Sequence, residues 1–367
     1  MSEAINICLS ADGSYAPYLG VTIQSIKANK SELDRYNVYI LDGGISNVHK
    51  NKILKMVDNY FSINFINIKE YLTNIDKKIF FERIHFSIAT YFRFFIPQIF
   101  PDHNKILYLD CDLIVNTDIA KLYHTNLDGF AIAASKDIEI CRRTTNLMRQ
   151  YNETCTYLRE TLKMKNIEMY FQAGVLLLDV QKLKSIDFTS KCIEKLKEIK
   201  RPQLVDQDIM NSLFDGNYKN INMEWNVLWG IPYKEKNLDK QLPKEIYNEY
   251  FLAREKAYIV HYASDLKPWK NPDIELADIW WQYARQTPFY EEIIYNNTKM
   301  QIMLIASNKA KEVLNTIFTY NKNKLLYYRY KLLSKITFGK MRKHYKKKRK
   351  ELKTKLKEVK QITQGKK

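Results

Sequence analysis

The stretch Lys105-Ile-Leu-Tyr-Leu-Asp-Cys-Asp-Leu-Ile-Val115 determines how the rest of the chain is interpreted. An apolar run leads up to Leu109, two acids follow at Asp110 and Asp112, and the apolar run then resumes. This pattern predicts a buried strand that ends in two carboxylates. Because residues i and i+2 of extended backbone point to the same side, both carboxylates can be directed at one point.

The spacing of this acid pair leaves two interpretations open. Neighbouring carboxylates repel one another unless a positive charge lies between them, so Asp110 and Asp112 suit a divalent cation such as Mg²⁺ or Mn²⁺. A site of that kind usually binds substrate phosphates as well. Alternatively, the pair lies in a turn in which one aspartate caps the next helix.

The composition is that of a globular protein with a full hydrophobic core. The chain has 367 residues, 46% of them hydrophobic, with 10 glycines and 9 prolines, which excludes collagen-like and Pro/Gly-rich disordered chains. Five cysteines without a Cys-x-x-Cys pair favour reduced thiols in a cytoplasmic protein over disulfides or a zinc site. Neither a signal peptide nor a membrane-spanning segment is expected.

The net charge of +18 is concentrated near the C-terminal end. Residues 322–367 hold 19 of the 59 lysines and arginines but only 2 of the 41 aspartates and glutamates. The rest of the chain is therefore almost neutral. Since a nucleic-acid enzyme is expected to carry positive charge in its cleft as well, the high pI alone does not predict nucleic-acid binding.

Strands and helices are predicted to alternate in the first part of the chain. Pro17 fits the start of the first helix, a second helix is expected over residues 46–59, and a third from about residue 86 to 96, stopped by Pro97. This alternation predicts an α/β fold with a mostly parallel, doubly wound sheet flanked by helices. Apolar runs predict the first three strands at residues 5–10, 36–42 and 63–68.

Shorter predicted strands farther along the chain lead to polar residues. Asp137 follows one of them and His261 ends the last, while Asp12 follows the first strand of the chain. Because ligands bind beyond the carboxyl ends of such strands, one cleft can hold Asp12 together with Asp110 and Asp112. These later strands are predicted at residues 130–134, in 170–179 after a glycine-containing loop, at 218–229 and at 257–262.

Four landmarks follow one another along the chain. They are Asp12, Asp110-Cys-Asp112, the Gln172-Ala-Gly174 loop with Asp206-Gln-Asp208, and His261 followed by Lys267-Pro-Trp269. In this order they resemble glycosyltransferase family 8, the retaining enzymes with the GT-A fold, which include bacterial lipooligosaccharide galactosyl- and glucosyltransferases and glycogenin. Asp-x-Asp alone occurs by chance in many chains, whereas the four landmarks together are specific. The resemblance covers roughly residues 4–285.

The resemblance implies a nucleotide-sugar donor and a metal ion bound to its diphosphate. Asp110, Asp112 and His261 would hold Mn²⁺, or else Mg²⁺, as a Lewis acid for the departing phosphate. Lys267 would add a second positive charge, and Pro268 and Trp269 would fix its loop. The residue types alone also allow a histidine bonded to backbone and a solvated lysine.

The resemblance further implies contacts with the nucleotide end of a UDP-hexose. Asp12 matches the position that binds uracil, with Ala11 and Ser14 beside it. Without the family context, an ordinary turn aspartate explains Asp12 as well. The other donor-binding positions that the resemblance implies are Asp110, Cys111, Gln172, Ala173, His261, Ser264 and Lys267.

Four residues are implied around the transferred sugar, namely Arg93, Asp137, Asp206 and Gln207. Gln207 would lie near the anomeric carbon on the face opposite the nucleotide. Arg93 can instead be a helix-face arginine in a local salt bridge, and Asp206 a stabilising charge at a helix N-terminus. The family usually has asparagine where this chain has Gln172, so the contact with the donor sugar is expected to differ.

We therefore predict a catalytic domain over residues 1–285 that is an Mn²⁺-dependent retaining hexosyltransferase. It would move galactose or glucose from a UDP-sugar to a hydroxyl of a cell-surface glycan such as lipopolysaccharide core. Front-face substitution is favoured because Gln207 is a poor nucleophile. The alternatives are a non-catalytic nucleotide-sugar-binding protein, an enzyme acting on a protein or teichoic-type acceptor, and a nucleic-acid-binding protein.

The C-terminal part is predicted to be helical, with an extension over residues 286–321 and an amphipathic, polybasic tail over 322–367. Leu325, Tyr328 and Leu332 lie at helical spacing among lysines and arginines, which suits an anionic membrane surface. A solvated helix and a nucleic-acid contact are the alternatives. We predict a cytoplasmic enzyme, peripheral on the inner membrane face, with an oligosaccharide or lipid-linked glycan acceptor and no nucleic-acid partner.

Overall fold

The structure is a computed structural model. Its chain divides into two compact units, Met1–Ile293 and Ile294–Lys367. The first unit contains the strands, and the second is helical. The residues that the structure describes are 4–73, 75–81, 87–145, 148, 150–229, 238–336 and 338–363.

The strands of the described residues form two sheets. The larger sheet has the order β3-β2-β1-β4-β7-β6-β8 and the smaller one β5-β10-β9. Four of the six pairings in the larger sheet are parallel, and β7 is antiparallel to both of its neighbours, which confirms the predicted mostly parallel α/β fold. The strands are β1 (Ile5–Ala11), β2 (Tyr36–Asp42), β3 (Phe61–Asn67), β4 (Lys105–Leu109), β5 (Leu113–Val115), β6 (Ile132–Ala134), β7 (Val175–Asp179), β8 (Lys219–Asn220), β9 (Val227–Leu228) and β10 (Ile259–His261).

Helices cover both faces of the larger sheet and make up the C-terminal part. The α-helices are α1 (Ala16–Ala28), α2 (Asn47–Leu54), α3 (Ile96–Ile99), α4 (Ala120–Tyr123), α5 (Ile138–Arg143), α6 (Tyr151–Thr156), α7 (Val180–Ser185), α8 (Phe188–Ile199), α9 (Val205–Phe214), α10 (Leu238–Gln241), α11 (Lys244–Glu255), α12 (Ala277–Ala284), α13 (Tyr290–Ile336) and α14 (Gly339–Thr363). Single turns of 3₁₀ or π-helix lie at Ile68–Glu70, Lys77–Ile79, Tyr157–Thr161, Ile167–Met169 and Met223–Asn226, and a longer 3₁₀ helix at Ile88–Phe95. Among the described helices, none combines the length and the apolar character that crossing a bilayer requires.

The larger sheet is buried on both faces. Successive side chains of a strand point to opposite faces, so Ile7 and Leu9 of β1 join one apolar cluster, whereas Cys8 joins the other. All three side chains are fully buried. This burial explains why the strands appear in the sequence as nearly continuous apolar runs.

The predicted buried strand that ends in two carboxylates is confirmed, and the apolar run after the acid pair belongs to the other sheet. Strand β4 ends at Leu109, the chain bends at residues 111–112, and β5 then pairs antiparallel with β10 in the smaller sheet. Asp110 and Asp112 therefore lie in a crossover between two sheets. An apolar run on each side of the bend is equally compatible with one long strand and with two short ones, so the sequence pattern does not reveal the crossover.

Polar side chains of α1 complete the hydrogen bonds of this crossover. The hydroxyl of Thr22 lies 2.9 Å from the carbonyl oxygens of both Cys111 and Leu113. Ser25 Oγ accepts a hydrogen bond from Val115 N over 3.0 Å. Since buried backbone groups are costly to leave unpaired, these side chains of α1 hold the crossover in place.

Three predicted boundaries need correction. The segment before β4 is a 3₁₀ helix, and Pro97 lies in the first turn of α3, where its missing N–H costs no hydrogen bond. The predicted start of that helix near residue 86 lies outside the described residues. Helix α2 ends at Leu54 instead of residue 59, and the 3₁₀ turn at Met223–Asn226 interrupts the strand predicted over 218–229.

The predicted boundaries of the catalytic domain at residue 285 and of the helical extension at residue 321 are functional boundaries, and they stay predictions. The structure shows that α13 continues from Tyr290 to Ile336, through the second of these positions. The prediction that the sequence is helical after about residue 281 is confirmed for the described residues.

Replacing Thr22 by valine is expected to destabilise the first unit by about 1–3 kcal/mol, because a side chain of the same shape leaves two buried carbonyl groups without their partner. Urea unfolding followed by circular dichroism measures the difference. Thr22→Ser keeps the hydroxyl and loses one methyl group, which costs about 1 kcal/mol, so it serves as the control. A Thr22→Val protein as stable as wild type would contradict the role given to the hydroxyl.

Candidate active site

Two cavities meet where the chain crosses between the sheets. The larger has a volume of about 470 Å³ and lies beside the turn after β1, and the smaller has a volume of about 330 Å³ and lies beside the N-terminus of α9. They are continuous at the acid pair. Both cavities are lined by Thr90, Arg93, Asp110, Asp112, Ala263 and Ser264.

The structure brings the site residues predicted from the sequence to these two cavities. Arg93, Asp110, Asp112 and Ser264 line both. The roles of these residues stay predictions, but their proximity is a finding. The larger cavity also takes Ala11, Asp12, Ser14, Cys111 and Lys267, and the smaller one Asp137, Gln172, Ala173, Asp206, Gln207 and His261.

Each carboxylate of the acid pair has one oxygen that contacts a cation. Asp110 Oδ1 accepts hydrogen bonds from Arg93 Nη2 over 2.7 Å and from the Tyr108 hydroxyl over 3.1 Å. Asp112 Oδ2 accepts one from Lys267 Nζ over 2.5 Å. Burial alone would raise the pKa of Asp112, but Lys267 and His261 hold this pKa well below its usual value.

The other two oxygens face His261. Its Nε2 lies 3.1 Å from Asp112 Oδ1 and 3.8 Å from Asp110 Oδ2. One ligand atom from each of these three residues lies within 4.8 Å of the other two. Two carboxylate oxygens and an imidazole nitrogen are a donor set that suits Mn²⁺, and Mg²⁺ accepts the oxygens as well.

Gly174 leaves the space that this donor set needs. A Cβ atom added there would lie 2.6 Å from Asp110 Oδ2 and 2.9 Å from Gln172 Oε1, and closer still to the His261 ring. Any larger residue would therefore displace Gln172 and two of the three residues that could bind the metal, Asp110 and His261. The residues present thus fit a divalent metal ion.

Arg93 connects the acid pair with the smaller cavity. Its Nε lies 3.0 Å from Asp206 Oδ2, its Nη1 donates to the carbonyl of Ala173, and its guanidinium stacks 4.2 Å from the centre of the Tyr108 ring. Burial raises the pKa of Asp206 to about 6, although Arg93 and a hydrogen bond from Thr90 favour the carboxylate. Only 4% of the Arg93 side chain is exposed, and both of its salt-bridge partners, Asp110 and Asp206, lie outside its own helix rather than beside it on the helix face.

Gln207 is held at both ends of its amide. Its Oε1 accepts a hydrogen bond from Ala173 N over 3.0 Å, and its Nε2 donates to Asp137 Oδ2 over 2.8 Å. Asp137 also caps α5 by accepting from Ile140 N, and burial raises its pKa. The amide of Gln207 is therefore fixed at the wall of the smaller cavity.

Asp208 is placed behind this wall and lines neither cavity. Its carboxylate accepts hydrogen bonds from the hydroxyls of Tyr157 over 2.5 Å and Tyr170 over 2.6 Å, and from Leu204 N over 2.8 Å. Its contacts hold the N-terminus of α9 in place. Of the Asp206-Gln-Asp208 landmark, only the first two residues reach the cavity.

Asp12 forms the turn after β1 and also lines the larger cavity. Its Oδ1 accepts hydrogen bonds from Ser14 N over 2.9 Å, from Ser14 Oγ over 2.6 Å and from Tyr15 N over 3.1 Å. Burial raises its pKa, but the hydrogen bonds of Ser14, Ser87 and Tyr15 outweigh burial and lower it. The carboxylate is thus ionised and held rigidly at the cavity edge.

The sequence did not indicate three residues that support the site, namely Thr90, Tyr108 and Asn226. Tyr108 could have been found, because it lies two residues before Asp110 at the end of the same strand. Asn226 had no local signal, since it lies in a 3₁₀ turn 35 residues before its partner, His261. Thr90 donates to Asp206, 116 residues away.

A mostly parallel α/β sheet with an acid pair and a histidine between two cavities is the arrangement expected of a glycosyltransferase of the GT-A class. Comparison with known proteins gives the family. Residues 6–273 match the model of glycosyl transferase family 8, and the chain belongs to this family. The protein is therefore a glycosyltransferase, and the resemblance inferred from the sequence is confirmed.

Individual relatives and a solved structure agree with this assignment. General stress protein A of Bacillus subtilis (strain 168) is 26% identical over 275 residues, which cover 73% of this chain and 88% of that protein. Lipopolysaccharide 1,2-glucosyltransferase of Escherichia coli (strain K12) is 28% identical, with 73% of each chain covered. The crystal structure of galactosyltransferase LgtC with donor and acceptor sugar analogues superposes with a TM-score of 0.63 at 25% identity, over 77% of this chain and 96% of that chain.

Gly174→Ala is expected to weaken Mn²⁺ binding by at least about 100-fold, because the added methyl group displaces the side chains of Asp110 and His261. Electron paramagnetic resonance of free Mn²⁺ during titration measures the affinity. An unchanged circular dichroism spectrum would show that the variant is folded. Binding within about threefold of wild type would contradict the assignment of this space to a metal ion.

Proposed function

We propose that the enzyme transfers a hexose, galactose or glucose, from a UDP-sugar to a hydroxyl of a cell-surface glycan such as lipopolysaccharide core. Mn²⁺ is the proposed metal, held by Asp110, Asp112 and His261. The observation that carries the proposal is the convergence of these three residues between two cavities. The lipopolysaccharide glucosyltransferase and the galactosyltransferase among the related proteins support the class of donor and acceptor.

The two cavities divide the substrates between them. The larger is lined by Asp12 and Ser14 as well as by Lys267, which suits a nucleoside diphosphate. The smaller contains Asp206 and Gln207, whose polar groups suit sugar hydroxyls. The reacting bond would then lie near the shared wall formed by Arg93, Asp110 and Asp112.

Positive charge is needed where the diphosphate leaves. Mn²⁺, when bound, would neutralise charge that develops on the departing phosphate. Lys267 holds its ammonium group at the same place by donating to Asp112 Oδ2 and to the carbonyl of Tyr262, each over 2.5 Å. Arg93 is held by Asp110 and Asp206 and so does not depend on the substrate for its position.

Front-face substitution with retention is the mechanism proposed, because the position expected beside the anomeric carbon holds Gln207. A double displacement needs a carboxylate beside the anomeric carbon. Gln207 is an amide, and Asp208 is held by Tyr157 and Tyr170 behind the wall. The leaving phosphate would then accept the proton of the acceptor hydroxyl. A glycosyl adduct trapped on Asp206 would contradict this mechanism.

Purified protein is expected to release UDP slowly from UDP-galactose or UDP-glucose in the presence of Mn²⁺, and the preferred donor identifies the sugar. EDTA should abolish the release, and Asp112→Asn should lower it by at least about 100-fold, because a metal ligand and the partner of Lys267 are lost together. Coupled detection of free UDP measures the rate.

Asp102→Asn is the matched control, since Asp102 is exposed and lies outside both cavities. Its rate should equal that of wild type. UDP release that is insensitive to EDTA and to Asp112→Asn would contradict the metal. Absence of release from either UDP-sugar would contradict the donor.

The basic tail, residues 322–367, would attach the enzyme to an anionic membrane surface at the cytoplasmic face. Within α13, Leu325, Tyr328, Leu332 and Ile336 lie three or four residues apart, and each is at least half exposed. Lysines and arginines flank this apolar face. Each basic residue near an anionic surface contributes about 1 kcal/mol, so together they favour membrane contact.

Full-length protein is expected to bind vesicles that contain phosphatidylglycerol but not vesicles of phosphatidylcholine alone. Leu332→Asp should weaken this binding by about tenfold, because one apolar side chain no longer enters the interface. Co-sedimentation measures the bound fraction, and activity on a small acceptor should not change. Leu33→Asp is the control, since Leu33 is exposed but lies in the first unit. Equal binding by all three proteins would contradict the tail as the membrane contact.

A further inference from the structure

A chain of buried side chains runs from the backbone of the Gln172-Ala-Gly174 loop to His261. Gln172 Oε1 accepts hydrogen bonds from Gly174 N over 2.6 Å and from Asn226 Nδ2 over 2.7 Å. Asn226 Oδ1 in turn lies 2.9 Å from His261 Nδ1. The exposed fractions of Gln172, Asn226 and His261 are only 8%, 4% and 1%, so these polar atoms depend on one another rather than on water.

The backbone amide of Gly174 sets the direction of every hydrogen bond in this chain. An N–H group can only donate, so the atom of Gln172 that it contacts must be the oxygen. That oxygen faces Asn226, which must therefore present its NH₂ group there and its own oxygen to His261. An amide oxygen can only accept, and hence His261 Nδ1 must carry a proton.

The direction of these bonds determines which nitrogen faces the acid pair. In a neutral imidazole with its proton on Nδ1, the lone pair lies on Nε2, the atom that is 3.1 Å from Asp112 Oδ1. Metal-binding histidines are commonly fixed in this way, by a hydrogen bond from the nitrogen that does not bind the metal. We propose that Gln172 and Asn226 are positioning residues that fix a proton on His261 Nδ1 and thereby direct Nε2, the nitrogen left to bind the metal, at the acid pair.

The inference rests on the proposed metal site, but it assigns a role to two residues outside the ligand set. It also gives Gln172 a function that differs from the expected sugar contact. Its carbonyl oxygen is directed at Gly174 and Asn226. A side chain at this position without an acceptor would leave Asn226 free to turn, and the proton on His261 would no longer be specified.

Asn211 provides a matched control for the loss of a buried asparagine. It is fully buried, and it exchanges two hydrogen bonds of 2.8 Å with the backbone of Phe171, next to Gln172. It makes no hydrogen bond to Asn226 or to His261 in the described structure. A purely structural role of Asn226 would make the two asparagines equivalent for metal binding.

The first test is Mn²⁺ affinity, measured by electron paramagnetic resonance on the full-length protein. Asn226→Leu is expected to raise Kd by about 10–100-fold, the usual effect of removing a residue that orients a metal ligand. Asn211→Leu should lower the melting temperature at least as much, yet leave Kd within about threefold of wild type. Gln172→Met should act like Asn226→Leu, whereas Gln172→Glu keeps an acceptor and should not lose affinity.

The second test locates the proton. Long-range nitrogen–proton NMR spectra of protein with ¹⁵N-labelled histidine, loaded with Zn²⁺ as a diamagnetic probe, show which ring nitrogen is protonated. His261→Gln assigns the signal. The proton is expected on Nδ1 and protected from exchange in wild type and in Gln172→Glu, with the protection lost in Asn226→Leu.

The outcomes separate this inference from the proposed function. A proton on Nε2, or equal weakening of Mn²⁺ binding by Asn226→Leu and Asn211→Leu, would overturn the positioning role of Gln172 and Asn226 and leave the metal site intact. Wild-type affinity in Asn226→Leu would do the same. Failure of the wild-type protein to bind Mn²⁺ would overturn the metal itself, and with it the purpose assigned to Gln172 and Asn226.

Discussion

The repulsion between two carboxylates that lie two residues apart is the constraint on which this site depends. Arg93 and Lys267 offset it, and each does so by contacting one oxygen of one carboxylate. Arg93 comes from the 3₁₀ helix before β4, and Lys267 from the loop after β10. Arg93 and Lys267 are far apart in sequence. The carboxylates of Asp110 and Asp112 can therefore face the same position only in the folded chain, where both cations are present.

The crossover between the sheets, which positions the acid pair, needs hydrogen-bond partners for its backbone. A bend between two strands lacks regular hydrogen-bonded neighbours, and α1 supplies them through the side chains of Thr22 and Ser25. Polar residues inside a mostly buried helix would otherwise be costly. Their burial is explained by the bend that they support, and the position of the acid pair thus depends on a helix some 90 residues earlier in the chain.

The sequence predicts the α/β class, most early strands and the residues that line the cavities, because alternating apolar runs and acids after strands are local signals. It does not predict the crossover, since Leu113 to Val115 is an equally apolar run in either sheet. Asn226 was missed for a related reason: its role arises only when a 3₁₀ turn approaches His261. Gln172 was found, but its hydrogen bonds depend on the fold of its own loop and on Asn226.

Gln172 also limits how the smaller cavity can recognise a sugar. A carbonyl oxygen has two lone pairs, and Gly174 N and Asn226 Nδ2 occupy both on Oε1. A ligand hydroxyl beside Gln172 therefore meets the amide nitrogen, which can only donate, and this hydroxyl must accept. Discrimination between epimeric hydroxyls would then require an acceptor elsewhere in the cavity, and Asp206 and Asp137 offer carboxylates there. In the proposed arrangement, the residue that departs from the family pattern would orient the metal ligand, and the choice of sugar would fall to the acids.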